Sequence, residues 1–343
     1  MRTAFVTGTA GFIGFHVARR LLAEGWQVGG FDGMTDYYDL ALKRRRHALL
    51  AEMPGFTAHE ARLEDSAALT SAIEATAPDV VIHLAAQAGV RYSLEAPRAY
   101  IDSNITGTFN LLEALRDYPP AHLLMASTSS VYGADPAMPY REGVPADRPL
   151  SVYAATKRAA EVLAHSYAHL WSLPVTMFRF FTVYGPWGRP DMALYKFVRA
   201  TLAGEAIDVY NHGEMRRDFT YVDDLVEAIY RLIDVVPGVG APVPGDTLSP
   251  EAPFRIVNIG NGQPVLLTDF IAAISAALGR PVRQRKLPMQ PGDVPATWAD
   301  TALLTALTGY APGTDLRTGV QAFVDWYGDY HGVAPADAAP RGT

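Results

Sequence analysis

The chain opens on a short β-branched run, Thr3-Ala4-Phe5-Val6-Thr7, and runs of similar length recur at Gln27-Phe31, Phe56-Glu60, Val80-Leu84, Leu123-Ala126 and Val175-Phe180. Segments with apolar residues on a 3.6-residue period lie between them, at Gly14-Glu24, Ser66-Thr76, Tyr100-Asp117 and Val152-Leu170. Strands alternating with helices in this way predict an α/β fold built on a doubly wound parallel sheet, here over residues 1–180. Beyond residue 180 the pattern loosens into segments punctuated by Gly and Pro, with a surface loop expected at Pro237-Pro253. That change predicts a smaller, mixed α/β substrate-binding lobe, mainly residues 181–330. Tyr221-Asp234 still reads as helix, and segments near 218–236 and 255–262 are expected to return to the first lobe, which makes the boundary discontinuous. The tail, residues 333–343, is rich in Ala, Pro and Asp and is expected to be flexible.

The first strand runs directly into Gly8-Thr9-Ala10-Gly11-Phe12-Ile13-Gly14, which opens the first helix. Glycines at this spacing let the chain reverse, let an anion approach the backbone amides, and let the helix pack closely on the strand. The context is that of a Rossmann-type turn for a dinucleotide pyrophosphate. The second strand ends at Asp32, where a carboxylate can accept a hydrogen bond from the adenosine ribose 2′-hydroxyl. That favours NAD, while Arg44, Arg45 and Arg46 leave NADP as an alternative.

Ser151-Val152-Tyr153-Ala154-Ala155-Thr156-Lys157 places a tyrosine and a lysine one helical turn apart on one face. A phenol with a pKa near 10 is a poor base at neutral pH unless a close cation stabilises its phenolate. Lys157 is the expected source of that cation. With 17 tyrosines and only four lysines in the chain, chance supplies roughly 0.2 such pairs. Upstream, Ser127-Thr128-Ser129-Ser130 runs off a strand at the carboxyl edge of the sheet, where doubly wound sheets bind ligands. Hydroxyls there can bridge the phenol and a substrate oxygen.

Composition narrows the classes. A net charge of -7 gives no general attraction to nucleic acid or an anionic membrane, and Arg216-Arg217 and Arg283-x-Arg285 are isolated cations without interleaved aromatics. Anions must be met by local arginines. The absence of cysteine excludes disulfides, thiolate catalysis and Cys-ligated zinc. His165 and His169 have a metal-compatible spacing but lack the companion carboxylate of a zinc hydrolase, so no metal is expected. No apolar stretch approaches the ~20 residues needed to span a bilayer, and a cytoplasmic location is the expectation.

Gly8-Thr9-Ala10-Gly11-Phe12-Ile13-Gly14, His83-Leu84-Ala85-Ala86-Gln87, Ser127 to Gly133 and Tyr153-Ala154-Ala155-Thr156-Lys157 resemble the extended short-chain dehydrogenase/reductases that modify nucleotide sugars. Gln87-Ala88-Gly89-Val90-Arg91-Tyr92-Ser93, Arg179 to Pro186, Gly188-Arg189-Pro190-Asp191-Met192-Ala193 and Arg217 to Asp224 look like the UDP-glucuronate 4-epimerase branch. The resemblance implies Thr128, Tyr153 and Lys157 as catalytic residues. It implies Gly8, Gly11, Phe12, Ile13, Gly14, Asp32, Leu63, Leu84, Ala85, Ala86 and Asn104, with Tyr153 and Lys157, around NAD. Ser127, Ser129, Arg91, Thr182, Arg189, Arg217 and Asp293 would then hold the UDP-sugar, with Thr182 and Arg189 on the sugar carboxylate. It also implies a homodimer through the helices near Tyr100-Asp117 and Val152-Leu170. Two positions depart from the pattern: Arg62 stands where relatives carry an adenine-facing Asp, and Gln290 lies where an arginine is common.

In the implied reaction Tyr153 takes the C4 hydroxyl proton while the C4 hydride passes to the nicotinamide, and return of the hydride to the other face inverts C4. Sister enzymes that dehydrate or decarboxylate place carboxylates where this chain has Ser129 and Ser130, and a serine hydroxyl is too weak a base to move a ring proton. A bidentate Arg189 fork with the Thr182 hydroxyl could hold the carboxylate of the β-keto intermediate in an unreactive orientation. Epimerases of other UDP-sugars, a decarboxylase and a non-catalytic NAD-sensing protein are the competing readings.

Overall fold

A computed structural model describes residues 1–135, 137–289 and 294–333. The first half alternates strand and helix: β1 (Thr3–Thr7), α1 (Phe12–Ala23), β2 (Gln27–Asp32), α2 (Leu40–Ala51), β3 (Phe56–Glu60), α3 (Ser66–Thr76) and β4 (Val80–His83). The short helices α4 (Tyr92–Glu95) and α5 (Pro97–Tyr100) lead into a π-helical turn, Ile101–Thr106, and then α6 (Gly107–Asp117). Next come β5 (His122–Thr128), a 3-10 turn (Ser129–Tyr132), α7 (Val152–Trp171) and β6 (Val175–Phe180).

The second half holds β7 (Thr182–Tyr184), α8 (Ala193–Leu202), β8 (Ile207–Val209), β9 (Arg216–Tyr221), α9 (Val222–Leu232) and β10 (Phe254–Ile259). It continues through β11 (Pro264–Leu266), α10 (Leu267–Leu278), β12 (Gln284–Lys286), β13 (Ala296–Thr297), α11 (Ala302–Thr308) and α12 (Leu316–His331).

Seven strands form one sheet in the order β10-β6-β5-β4-β1-β2-β3, and every pairing in it is parallel. Parallel strands require crossovers, and the helices of those crossovers cover both faces. Side chains therefore alternate between two cores. Ala4 and Val6 enter the core shared with α1 and α9, while Phe5 and Val81 enter the one shared with α3, α6 and α7. The final strand, β10, comes from residues 254–259 and pairs with β6 after the chain has passed through part of the second lobe.

That second lobe is mixed. Strand β9 pairs antiparallel with β11 and parallel with β13 and β7, and β8 pairs with β12. Its core is aromatic: Phe219 and Phe270 stack with centroids 4.1 Å apart, beside Tyr184, Tyr195 and Phe323. The fold is the expected α/β one with a large parallel sheet.

Helix α2 was not anticipated, and two local expectations are corrected. Helix α2 escapes an amphipathic reading because its Lys43 and Arg46 are buried, so charge lies on its inner face. The segment read as a single helix from Tyr100 to Asp117 begins one turn earlier and passes through the π-helical turn, which periodicity alone does not reveal. Strand β5 runs on through Ser127 and Thr128, because both pair in register with β6.

The loop expected at 237–253 is mostly exposed but anchored: Arg255 on β10 forks onto Asp246 at 2.8 and 3.0 Å, with both side chains almost fully buried. Removing one partner of such a pair strands a buried charge. Asp246→Ala is expected to lower the unfolding free energy by about 3–5 kcal/mol, read by urea denaturation; a loss below about 1 kcal/mol would mean that the pair contributes little.

Candidate active site

The cofactor turn is built for close approach. Gly8 sits at φ +79°, and a Cβ there would lie 2.8 Å from the Ala85 nitrogen. A Cβ on Gly14 would lie 2.1 Å from the Gly8 carbonyl oxygen, so α1 packs on the turn at a distance no other residue permits. Helix α1 begins at Phe12 with Gly11 as its N-cap and no side chain capping its first amides, which leaves them for an anion. Asp32 accepts the Ala10 amide on one oxygen and the Met34 amide on the other, both at 2.9 Å. Each oxygen keeps a second lone pair for a ribose hydroxyl. These residues fit a dinucleotide.

Arg46 does not face a phosphate. It is fully buried and donates to the Ala10 carbonyl, the Tyr38 hydroxyl and the Trp187 carbonyl. Arg44 stands opposite Glu60 at 3.9 Å. Two of the three arginines that kept NADP open, Arg44 and Arg46, thus have protein partners.

The wall behind the turn is held by a hydroxyl relay. Thr7 Oγ1 accepts the Leu84 and Ala85 amides at 3.1 Å, which leaves its own proton for His83 Nδ1 at 2.8 Å. His83 therefore carries its proton on Nε2, toward Thr108 at 3.4 Å. Burial, then the Lys157 charge, push its pKa down to about 3. In the π-helical turn, Asn104 accepts the Gln87 amide at 2.8 Å and donates to the Gln87 carbonyl and the Thr156 hydroxyl at 3.0 Å. Leu63 is buried and its carbonyl accepts Asn110 at 2.9 Å, while Arg62 turns to Glu64 at 3.1 Å.

The catalytic candidates converge on α7. The Thr128 hydroxyl, from the end of β5, hydrogen-bonds the Tyr153 phenol and favours its phenolate, as does the charge of Arg189. Burial outweighs both and holds the phenol above its ordinary value. Lys157, the expected source of that cation, lies one turn further along α7, buried near His83 and Glu161. Burial lowers the Lys157 pKa to about 8, and the charge of Glu161 opposes that fall.

Glu161 escaped the sequence reading. It extends the line Tyr153–Lys157 by one more turn, a periodic signal that a glutamate in a helix does not advertise. It is fully buried, and accepts both arms of Arg179 at 2.9 Å, Arg158 at 2.7 Å and the Ser127 hydroxyl at 2.5 Å. Ser127 is thereby turned to Glu161, while Ser129 opens the 3-10 turn above it.

The carboxylate candidates border one small, mostly apolar cavity. Thr182, at the start of β7, and Arg189, in the following loop, line one cavity with Phe12 and Met192. The loop is docked on the cofactor side, since His16 donates to the Pro186 carbonyl at 2.9 Å and Arg46 reaches Trp187. Arg189 itself forks onto Asp191. Arg91 stands over the Tyr210 ring at 5.2 Å, and Arg217, on β9, donates to the Arg216 and Val294 carbonyls. Asp293 and Gln290 lie outside the described residues. His165 and His169 contact Ser249 and the Glu251 carbonyl, and no cluster of three metal ligands occurs among the described residues.

A parallel sheet with a glycine turn, a carboxylate at the second strand's end, and a Tyr/Lys/Thr group at the carboxyl edge defines a dinucleotide-dependent enzyme of the short-chain type. Residues 4–242 match the NAD dependent epimerase/dehydratase family, and the chain belongs to it. A Rhizobium meliloti protein named "Probable UDP-glucuronate 4-epimerase" is 58% identical over 94% of this chain and 96% of its own. UDP-glucuronate 4-epimerase 2 of Arabidopsis thaliana is 44% identical over 96% of this chain and 76% of its own. The crystal structure of UDP-glucuronic acid 4-epimerase from Bacillus cereus, with UDP-glucuronic acid and NAD, superposes with a TM-score of 0.86 at 30% identity, over 96% of this chain and 100% of that one.

The buried ammonium has a measurable consequence. With the folded pKa of Lys157 near 8 and the unfolded one near 10.5, the unfolded state binds more protons between these values, so stability from this group rises with pH across that window. Below it the charge is a net cost. Lys157→Met is therefore expected to stabilise the ligand-free protein at pH 7 by on the order of 1–3 kcal/mol, with the gain fading by pH 10, as read by urea denaturation at both pH values. A destabilised variant at pH 7 would show that the ammonium's contacts outweigh its burial.

Proposed function

We propose that this enzyme interconverts UDP-glucuronate and UDP-galacturonate by NAD-dependent epimerisation at C4, with the cofactor retained through the cycle. The observation that carries the reading is Arg189, which borders one small cavity with Thr182 and lies close enough to Tyr153 for its charge to favour the phenolate. A cation beside the reacting centre suits a sugar that carries a carboxylate next to it. Bound NAD supplies the hydride acceptor and, when oxidised, a further positive charge beside the phenol. Tyr153 takes the C4 hydroxyl proton and later returns it. Thr128 orients the phenol through its hydrogen bond, and Lys157 stays protonated with help from Glu161. Arg217 and Arg91 are assigned to the nucleotide diphosphate side, and Ser129 to the sugar.

No carboxylate stands on the turn Ser129–Tyr132 to abstract a ring proton, which supports epimerisation over dehydration. The proposed setting is the cytoplasm, where a charged nucleotide sugar and NAD are both in solution; no described helix is long and apolar enough to cross a membrane.

We also propose a homodimer through α6 and α7. Phe109 on α6 and Val162 on α7 are 45% and 53% exposed, and Ile101 lies on the preceding turn with 39% of its surface open. Apolar residues gathered on two outer helices fit a helix-to-helix interface. Val162→Arg is expected to convert the dimer to a monomer in light scattering after size exclusion; a monomeric parent protein would remove the proposal.

Incubated with UDP-glucuronate and no added NAD, the purified enzyme is expected to yield a mixture of the two uronates without carbon dioxide, followed by NMR. Tyr153→Phe should lose about 10²–10⁴ of the rate. Turnover of UDP-glucose in place of the uronate would overturn the substrate assignment, and a pentose product would make the enzyme a decarboxylase.

A further inference from the structure

The Arg189 guanidinium is not loose in its cleft. Nε donates to Asp191 Oδ1 at 3.0 Å and Nη2 to Oδ2 at 2.5 Å, and the Tyr37 hydroxyl donates to the same Oδ2 at 3.1 Å. The Tyr37 ring lies 5.7 Å from the guanidinium carbon. Tyr37 comes from the segment between β2 and α2, on the cofactor side, whereas Arg189 and Asp191 follow β7. One carboxylate thus ties a residue of each lobe to the cation. Burial raises the Asp191 carboxyl's pKa, and Arg189 with Tyr37 more than reverses it, so the carboxylate stays charged.

Resting on the substrate reading above, we propose that Asp191 and Tyr37 are positioning residues that fix the plane of the Arg189 fork and so decide whether the substrate carboxylate is kept or lost. Asp191 occupies the Nε–Nη2 edge. The incoming carboxylate meets the Nη1 side of a guanidinium whose plane is already set, and its own rotation is limited accordingly. Release that plane and the carboxylate of the 4-keto sugar turns until the C5–C6 bond stands perpendicular to the carbonyl. The bond then breaks, its electron pair enters the C4–C5 enolate, carbon dioxide departs, and C5 takes a proton from water.

A purely structural role for the pair would slow all products together; a positioning role changes their ratio. The test follows carbon dioxide and UDP-galacturonate from UDP-glucuronate with Asp191→Asn and Tyr37→Phe. Both variants are expected to raise carbon dioxide per epimerisation by about tenfold or more, with a higher KM for UDP-glucuronate. UDP-glucose binding, measured by calorimetry, should be unchanged. Tyr37→Phe keeps the ring and removes one hydrogen bond, so it carries the test if Asp191→Asn fails to fold. An unchanged product ratio in a folded variant overturns this inference alone, whereas a parent enzyme that leaves UDP-glucuronate untouched overturns the substrate reading beneath it.

Discussion

Burying an ammonium one helical turn from a buried phenol is the constraint around which this molecule is arranged. Each group resists its charged form in a dry interior, yet the proposed chemistry needs the lysine charged and the phenol able to lose its proton. Glu161 answers the first need and is itself held by Arg179, Arg158 and Ser127. Because Arg179 belongs to β6, Ser127 to β5 and Glu161 to α7, the same network that keeps the lysine charged also locks the helix to the sheet. Burial of a complete ion-pair network stabilises less than it specifies, and here it specifies where α7 sits.

The second need is met from the opposite lobe. Thr128 reaches the phenol from the sheet edge, but the positive charge that favours its phenolate in the ligand-free protein is that of Arg189, from the loop after β7. That loop is pinned by His16 of α1, by Arg46 of α2 and by Tyr37 through Asp191. Three contacts from the first half of the chain therefore place the Arg189 cation. The Tyr153 phenol and the Arg189 guanidinium are thus brought together from distant parts of the chain, and β10 returns to the parallel sheet beside β6.

The relatives and the geometry bear on different levels. Family membership and the nucleotide-sugar epimerase neighbours account for the sheet, the glycine turn and the cofactor class. Substitutions such as Arg62 are local matters: its side chain pairs with Glu64, while the neighbouring Leu63 carbonyl is fixed by Asn110. A backbone contact tolerates side-chain change in a way that a side-chain contact does not.

What the sequence determined by itself is what depends on near neighbours. The strand and helix periods, the glycine turn with Asp32 about one strand-helix-strand unit later, and the Tyr153–Lys157 spacing are all set within a few turns of chain, so they can be read from order alone. Tertiary structure decided the partners. Arg46 was one of three arginines that left NADP open until burial gave it Ala10 and Trp187, 36 and 141 residues away. Asp191 meets Tyr37 across 154 residues, and the π-helical turn that seats Asn104 against Gln87 leaves no mark on hydrophobic spacing. The same holds for the charge states: whether a lysine titrates near 8 or at its ordinary value depends on how much water packing removes, and the number of waters removed is a property of the assembled core rather than of any segment.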